Sequence, residues 1–313
     1  MIDYSDLRAS RDGFGRGVVK AGLRDERVVV LSADLSESLK LEDFKRRFPN
    51  RFFEVGVAEQ NLAGVAAGLA LEGKIPFITS FASFSPSINW NQLRVSICYN
   101  KANVKIVSSH AGVTTGEDGA THQALEDIAL TRVLPGMVVI APADALEAEK
   151  ATVEISKTKN PTYLRLSRAG FPQVTKGINF KIGRASVLKE GVDLTIIACG
   201  NMVFQCLKVV EELENSGVKA ELINNHTVKP IDSKTILDSA VKTGLVFTVE
   251  EHQVSGGLGS AVSEVLSGER IPVYRIGVED KFGTSGSALE LLDFYGLSSN
   301  KIRQKIGSII RYK

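Results

Sequence analysis

Cysteine is scarce in this chain of 313 residues: Cys98, Cys199 and Cys206 are the whole supply. Three scattered thiols exclude a disulfide framework and a metal knuckle, and are expected to be small buried apolar residues in a reducing compartment. An excess of one charge is missing too. Lys and Arg number 38 against 36 Asp and Glu, a net +2, which leaves no electrostatic footprint for nucleic acid or an anionic membrane. No apolar run is long enough to span a bilayer. The opening "MIDYSDLRASRDGFGRG" lacks the basic-then-apolar order of a signal peptide, so a cytoplasmic protein is expected. The dinucleotide fingerprint G-x-G-x-x-G is absent as well. The Gly-rich "EEHQVSGGLGSAVSEVL" (250–266) reads as a helix start or interface loop.

What is present is an alternation. "RVVVLSAD" (27–34), "IPFITS" (75–80), "NVKIVSS" (103–109), "MVVIAP" (137–142) and "PTYLRLSR" (161–168) are nearly continuous apolar, β-branched runs, as in parallel strands covered on both faces. Helices are expected between them at 57–72, 86–99, 121–133 and 143–157. "FPQVTKGINFKIGR" (171–184) breaks the rhythm, and the alternation restarts with strands at 193–200, 219–225, 244–251 and 271–277. The length exceeds what one core usually serves. The chain therefore reads as α/β, with two consecutive doubly wound domains of mainly parallel sheet, at 1–172 and 185–313, joined by a linker at 173–184. Polar clusters follow the strand ends ("SADLSES", "TSFASF", "SSHAGVTTGEDGATHQ"), the edge where such sheets collect ligands.

One acid stands out. In "RFFEVGVAEQNLAGVAAGLALEG" (51–73), Glu59 lies just where the chain becomes a Gly- and Ala-rich helix expected to be apolar nearly all round. With Gly56 as N-cap, Glu59 is the third helical residue, where an acid bonds back to the cap amide and favours the helix dipole. It is also desolvated there, which suits it to share a proton with a ligand base. Both readings can hold. "GEDGATHQALEDIALTR" (116–132) admits three: a tight turn before an amphipathic helix, a metal site of His110, Asp118 and His122, or a sugar or phosphate-ester pocket. Phe81 and Phe84 are either core or a wall for a flat heteroaromatic ring. Arg11 and Arg168, if they border one crevice, suit a phosphate ester.

Taken in order, "FFEVGVAEQNLAGVAAGLA", "TSFASF", "SHAGVTTGEDGATHQALEDIA" and "RLSR", followed by "NNHTVKPID", "EEHQVSGGLGSAVSEVL" and "GVEDKFGTSG", resemble the C-terminal half of transketolase over nearly the whole chain. The family's Gly-Asp-Gly motif and later Asn, which hold the cofactor diphosphate through a divalent metal, have no counterpart here. The resemblance thus implies a C-terminal subunit of a split transketolase, a pyrimidine-binding domain followed by the family's C-terminal domain. An N-terminal partner subunit would hold Mg²⁺ or Ca²⁺, and self-association into an α2β2 heterotetramer is expected.

The resemblance implies thiamine diphosphate as cofactor and ketol transfer between sugar phosphates, as in the pentose phosphate pathway. Glu59 falls where the catalytic glutamate meets a ring nitrogen of the aminopyrimidine. Phe81 and Phe84 match the wall beside that ring, although a further family aromatic is Ser87 here. Asp34 matches an acid near the cofactor, and no metal ligand is expected in this chain. His110 and Asp118 match residues touching substrate hydroxyls, His122 one near the reacting atoms, and Arg11, Ser38 and Arg168 the phosphate clamp. The alternatives are another thiamine diphosphate enzyme subunit (deoxyxylulose phosphate synthase-like or 2-oxo acid dehydrogenase β-like) or a non-catalytic orphan interaction subunit.

Overall fold

A computed structural model describes residues 3–310. The chain forms strands β1 (Leu7–Arg8), β2 (Val28–Ser32), β3 (Phe52–Glu54), β4 (Ile75–Phe81), β5 (Lys105–Ser109), β6 (Val138–Ile140), β7 (Thr162–Arg165) and β8 (Phe171–Pro172). It continues with β9 (Ser186–Lys189), β10 (Leu194–Ala198), β11 (Ala220–Asn224), β12 (Thr227–Lys229), β13 (Val246–Gln253) and β14 (Val273–Val278). The first sheet runs in the order β12-β6-β7-β5-β4-β2-β3 and the second in the order β14-β13-β10-β11-β9. Pairings are parallel except at β12 and β9, and β1 and β8 form a separate antiparallel pair.

The apolar runs become strands because both faces are covered. Every residue of β2, β5, β10 and β11 is buried. On one face of the first sheet, Phe14 and Val18 of the helix Ser10–Arg24 and Ala148, Ala151 and Ile155 of the helix Ala145–Ile155 pack on Val28, Val30 and Phe77. On the other, Leu62, Ala63 and Ala66 of the helix Glu59–Leu71 pack with Leu93 and Ile97 on Val29, Leu31 and Ile78. That second core continues into Ile197, Ile223 and Val246 of the second sheet, so the two layers share apolar side chains. Lys105, fully buried at the start of β5, is accommodated because its ammonium donates to Thr158 O (3.2 Å), Thr158 Oγ1 (3.2 Å) and Asn160 O (2.8 Å).

Several expectations change. The helix expected over 121–133 covers only Asp127–Arg132, because Ala124 bridges to Ala111 and the Gln123 amide is spent on Val113 O (3.2 Å) and Gly116 O (3.1 Å). The helix expected over 86–99 is a short α-turn, Trp90–Gln92, that widens into a π-helix, Leu93–Tyr99. The linker expected at 173–184 contains no helix or strand. It is fastened to the preceding domain by the Asp144 carboxylate, which accepts from the amides of Val174 and Thr175 at 2.7 Å each. The antiparallel strands β9 and β12 were not anticipated.

Candidate active site at the carboxyl edge of the first sheet

From β2 the chain adds β3 on one flank and then β4 on the other, opening a crevice between their carboxyl ends. The residues singled out in the sequence lie along this edge: Asp34 and Ser38 after β2, Glu59 after β3, Phe81 and Phe84 at the end of β4, His110 after β5 and Arg168 after β7. Arg168 stands three residues beyond its strand, and Arg11 comes from the first turn of the helix Ser10–Arg24.

Glu59 is the first residue of its helix, not the third. Gly56 takes a φ of +75° inside the preceding turn, and Ala58 becomes the cap residue with no side-chain capping bond. The carboxylate therefore does not fold back on its own helix. It is only 5% exposed, and its Oε1 accepts from Ser80 Oγ at 2.9 Å, across to β4. Asn89 Nδ2 donates to the main-chain oxygen of Glu59 at 3.2 Å and fixes the turn. Among the described residues no donor meets Oε2, so one oxygen of a buried acid stays free to meet a ligand. The helix behind it is not buried all round: Gln60, Asn61, Gly64, Val65, Gly68 and Leu71 form an exposed stripe. Nothing lies within 4 Å of a Cβ built at Gly64 or Gly68.

Four rings gather with one another at the end of β4 and in the turns that follow β5. Phe81 and Phe84 stack with centroids 6.0 Å apart; the His110 ring lies 3.8 Å from Phe81, and His122 meets Phe84 edge-on at 5.3 Å. Ser87 turns its exposed hydroxyl back onto Ser83 O, so it adds nothing to the wall. Nδ1 of His110 is taken by Ser109 Oγ (2.8 Å) and Nδ1 of His122 by Thr121 Oγ1 (2.9 Å). Burial, then the nearby cations of Arg11 and Arg168, push the His110 imidazole down to about 3. It is thus a neutral ring that can donate or accept but not carry charge at ordinary pH. Its backbone has a φ of +60°, an uncommon conformation for a non-glycine residue, held by Thr115 Oγ1 donating to His110 O at 2.7 Å.

The two arginines border the same crevice. Arg11 Nη1 donates to Ser38 O at 3.0 Å, while its buried Nε has no partner. Arg168 Nη1 donates to Thr115 O (2.6 Å) and Glu117 Oε2 (2.8 Å), and the guanidinium holds the exposed Glu117 carboxyl below the usual range. Glu117 is thus the acid of the GEDG turn that meets Arg168; Asp118 is exposed on the rim and makes no side-chain bond among the described residues. His110, Asp118 and His122 do not converge, and the described residues contain no group of three potential metal ligands. Asp34, with a φ of +61°, is exposed in the turn after β2.

Two acids escaped the sequence reading. Glu54 at the end of β3 accepts from Asp34 N (2.7 Å) and Gly56 N (3.1 Å), holding both turns at the mouth of the crevice. The other is Glu251. In "EEH", Glu250 caps the helix Leu258–Val265, accepting from Leu258 N (2.6 Å) and Gly259 N (2.7 Å), and Gly257 has no room for a Cβ beside that carboxylate. The Gly-rich loop is therefore a helix start, as its sequence suggested. Glu251 instead reaches into the first domain, to Thr114. A carboxylate at the end of a strand was the only signal either acid offered.

The arrangement is that of a known family. The profile of the transketolase pyrimidine binding domain matches residues 7–173 and that of the transketolase C-terminal domain residues 183–302. The chain belongs to the transketolase family. It is 44% identical over 312 residues to a chain of Methanocaldococcus jannaschii provisionally named a transketolase C-terminal section, covering 98% of each. It is 41% identical to a 6-deoxy-6-sulfo-D-fructose transketolase subunit of a Clostridium species, covering 93% of this chain and 91% of that one. A solved structure described as a split gene transketolase, an inactive beta4 tetramer, superposes with a TM-score of 0.90 at 46% identity, covering 96% of this chain and 98% of that one. Transketolase from Campylobacter jejuni shares the fold, with a TM-score of 0.85 at 24% identity, but this chain spans only 47% of it. The chain is thus a split-type C-terminal section of a thiamine diphosphate enzyme family, α/β with mostly parallel sheets.

Proposed function

We propose that this chain is the C-terminal subunit of a two-subunit transketolase that transfers a two-carbon ketol unit from a ketose phosphate to an aldose phosphate. The observation that carries the reading is the buried Glu59 carboxylate with one oxygen bonded to Ser80 and the other free, on the same sheet edge that carries the stacked Phe81 and Phe84 rings. A flat base with a ring nitrogen fits that combination, which is what the pyrimidine of thiamine diphosphate presents. When bound, that cofactor supplies the carbon nucleophile and the electron sink that this chain lacks.

The chain's own residues then have distinct tasks. Glu59 holds a proton at the pyrimidine ring nitrogen, aided by a site that excludes water. Phe81 and Phe84 flank the ring, and Asp34 faces the cofactor from the crevice mouth. His110 presents Nε2 as a neutral imidazole and, with Asp118, meets substrate hydroxyls; His122 stands near the reacting atoms and can move a proton there. Arg11, Ser38 and Arg168 receive the anionic end of the sugar. Relatives named for 6-deoxy-6-sulfo-D-fructose and for apulose 4-phosphate keep an anion at that end, which two guanidiniums accept in either form.

Assembly belongs to the same reading. Mg²⁺ or Ca²⁺ and the diphosphate are assigned to an N-terminal subunit, as the resemblance to transketolase implies. The exposed Gly64, Val65, Gly68 and Leu71 stripe is suited to close packing by another chain, and a beta-only relative is described as inactive. The assembly proposed is the α2β2 heterotetramer that the resemblance implies, with this chain self-associating. The free, buried cysteines suit a reducing cytoplasm, and no helix among the described residues is long and apolar enough to cross a membrane.

The test is to isolate the chain from its native source under mild conditions and identify what travels with it. The complex is then assayed for transfer from xylulose 5-phosphate to ribose 5-phosphate, alongside sulfonated and branched ketoses and pyruvate decarboxylation. A co-purifying chain carrying Gly-Asp-Gly, with transfer dependent on thiamine diphosphate and Mg²⁺, is the expected result. Pyruvate decarboxylation without ketol transfer, or a lone inactive chain, overturns it.

A further inference from the structure

The crevice at the carboxyl edge of the second sheet is not open. β10 is followed by β11 on one side and, after a crossing, by β13 on the other, so a doubly wound sheet is expected to offer a ligand site there. The first domain fills it instead. Glu251 of β13, 2% exposed, accepts from the backbone N–H of Thr114 and, at 3.1 Å, from Thr114 Oγ1. Asn201, which follows β10, donates from Nδ2 to the same hydroxyl oxygen at 3.1 Å. Gly112, with a φ of +87°, passes so close that a Cβ would collide with the Glu251 carboxylate. The main-chain oxygen of Glu251 is engaged too, by Arg165 Nη2 at 2.8 Å, and Arg165 is the buried partner of Asp127 (2.7 Å).

The segment gripped in this way carries the substrate end of the proposed site. The next residue, Thr115, bonds through Oγ1 to the main chain of His110 and through its carbonyl to Arg168 Nη1 at 2.6 Å. His110 sits in a left-handed backbone conformation that local preference does not favour, so something outside the turn has to hold it. Among the described residues, the Glu251 side chain is the group that accepts from both the backbone N–H and the hydroxyl of Thr114, a two-point grip that fixes the residue in place.

We propose that Glu251 is a positioning residue: from the second domain it fixes Thr114, and through Thr115 it sets His110 and Arg168 for the substrate. This rests on the ketol-transfer reading for its substrate, but not for its geometry. The clamp gives the second domain a task in the reaction although none of its side chains enters the crevice through this contact.

The test uses the assembled two-subunit enzyme carrying Glu251→Ala or Glu251→Gln. Glutamine keeps an acceptor for Thr114 N–H and turns its amide donor toward Thr114 Oγ1, so it retains the clamp. In the Ala variant, KM for the ketose phosphate rises about tenfold or more while kcat falls by less than about threefold, and Gln restores most of the loss. Hydrogen exchange of peptides spanning 110–118, followed by mass spectrometry in the full chain, accelerates in the Ala variant alone, while peptides from β2 and β4 keep their protection. Unchanged exchange at 110–118, or exchange that rises equally throughout the first sheet, overturns the clamp. So does an Ala variant with a lowered Tm but an unchanged KM. If the wild-type complex performs no ketol transfer, the functional reading fails while the exchange comparison still decides the clamp.

Discussion

Replacing Glu59 by glutamine separates what this acid does for the fold from what it does for the reaction. The substitution is nearly isosteric and keeps an oxygen for the Ser80 hydroxyl, now 2.9 Å from Oε1. A hydrogen bond to a charged group contributes about 1.5–3 kcal/mol and one between neutral groups about 0.5–1.5 kcal/mol, so roughly 1 kcal/mol is lost. Against this, a carboxylate with no cation among its partners no longer has to be kept at 5% exposure, which returns part of that amount. Tm is therefore expected to move by no more than a few degrees. Activity behaves differently, because an amide cannot hold a shared proton at a ring nitrogen. General acid–base catalysis is typically worth about 100- to 10,000-fold, and kcat should fall by that order. Thermal unfolding of the chain, size-exclusion of the complex with its partner, and steady-state ketol transfer are measured on one preparation. A variant that assembles and still turns over within about threefold of wild type refutes the proposed role. A collapse in Tm would instead return Glu59 to a purely structural part.

Two further outcomes follow. Because the folded state depresses the His110 imidazole to about 3 from 6.5, only the unfolded chain takes up this proton between those values. His110 therefore makes stability fall as pH drops from 6.5 toward 3 and has no effect above that window. His110→Asn, which tolerates the left-handed backbone without titrating, should flatten the loss of Tm over that range relative to wild type; parallel Tm–pH curves would contradict it. Gly68 has open space around its Cβ position, so Gly68→Arg should leave the Tm of the dilute chain within a degree or two of wild type. Light scattering should nevertheless show loss of association with a second copy or the partner subunit; undisturbed assembly would remove that helix face from the interface.

The sheets could be read from the sequence because their signal is strong and local. A run such as "VVVLS" has no amphipathic option and must be covered on both sides. The helix start at Glu59 was displaced by two residues, since Gly56 has the freedom to adopt a positive φ and spend itself on a turn. The capping role expected of Glu59 went with that shift, and Ser80, 21 residues further along, became its partner. The turn at 119–126 failed as a helix for a related reason: the Gln123 side-chain amide donates to the carbonyls of Val113, Gly116 and Thr284, contacts that no local pattern encodes. Phe81, Phe84, His110 and His122 could be identified as types, but their convergence depends on the pairing of β4 with β5. Glu54 and Glu251 were illegible because an acid that holds a distant main chain looks, in sequence, like any other surface acid.

The strand β12 has a consequence for how the molecule can be divided. It belongs to the second half of the chain, yet Thr227 and Lys229 pair with Ile140 and Val139 and close the outer margin of the first sheet. A fragment that stopped at residue 172 would leave the amides and carbonyls of β6 as a bare template, inviting strand addition from neighbouring copies and precipitation. The halves resemble exchangeable building blocks in their separate profiles, but physically they are stitched along one seam. Recombining either with a foreign counterpart would require carrying that borrowed strand across.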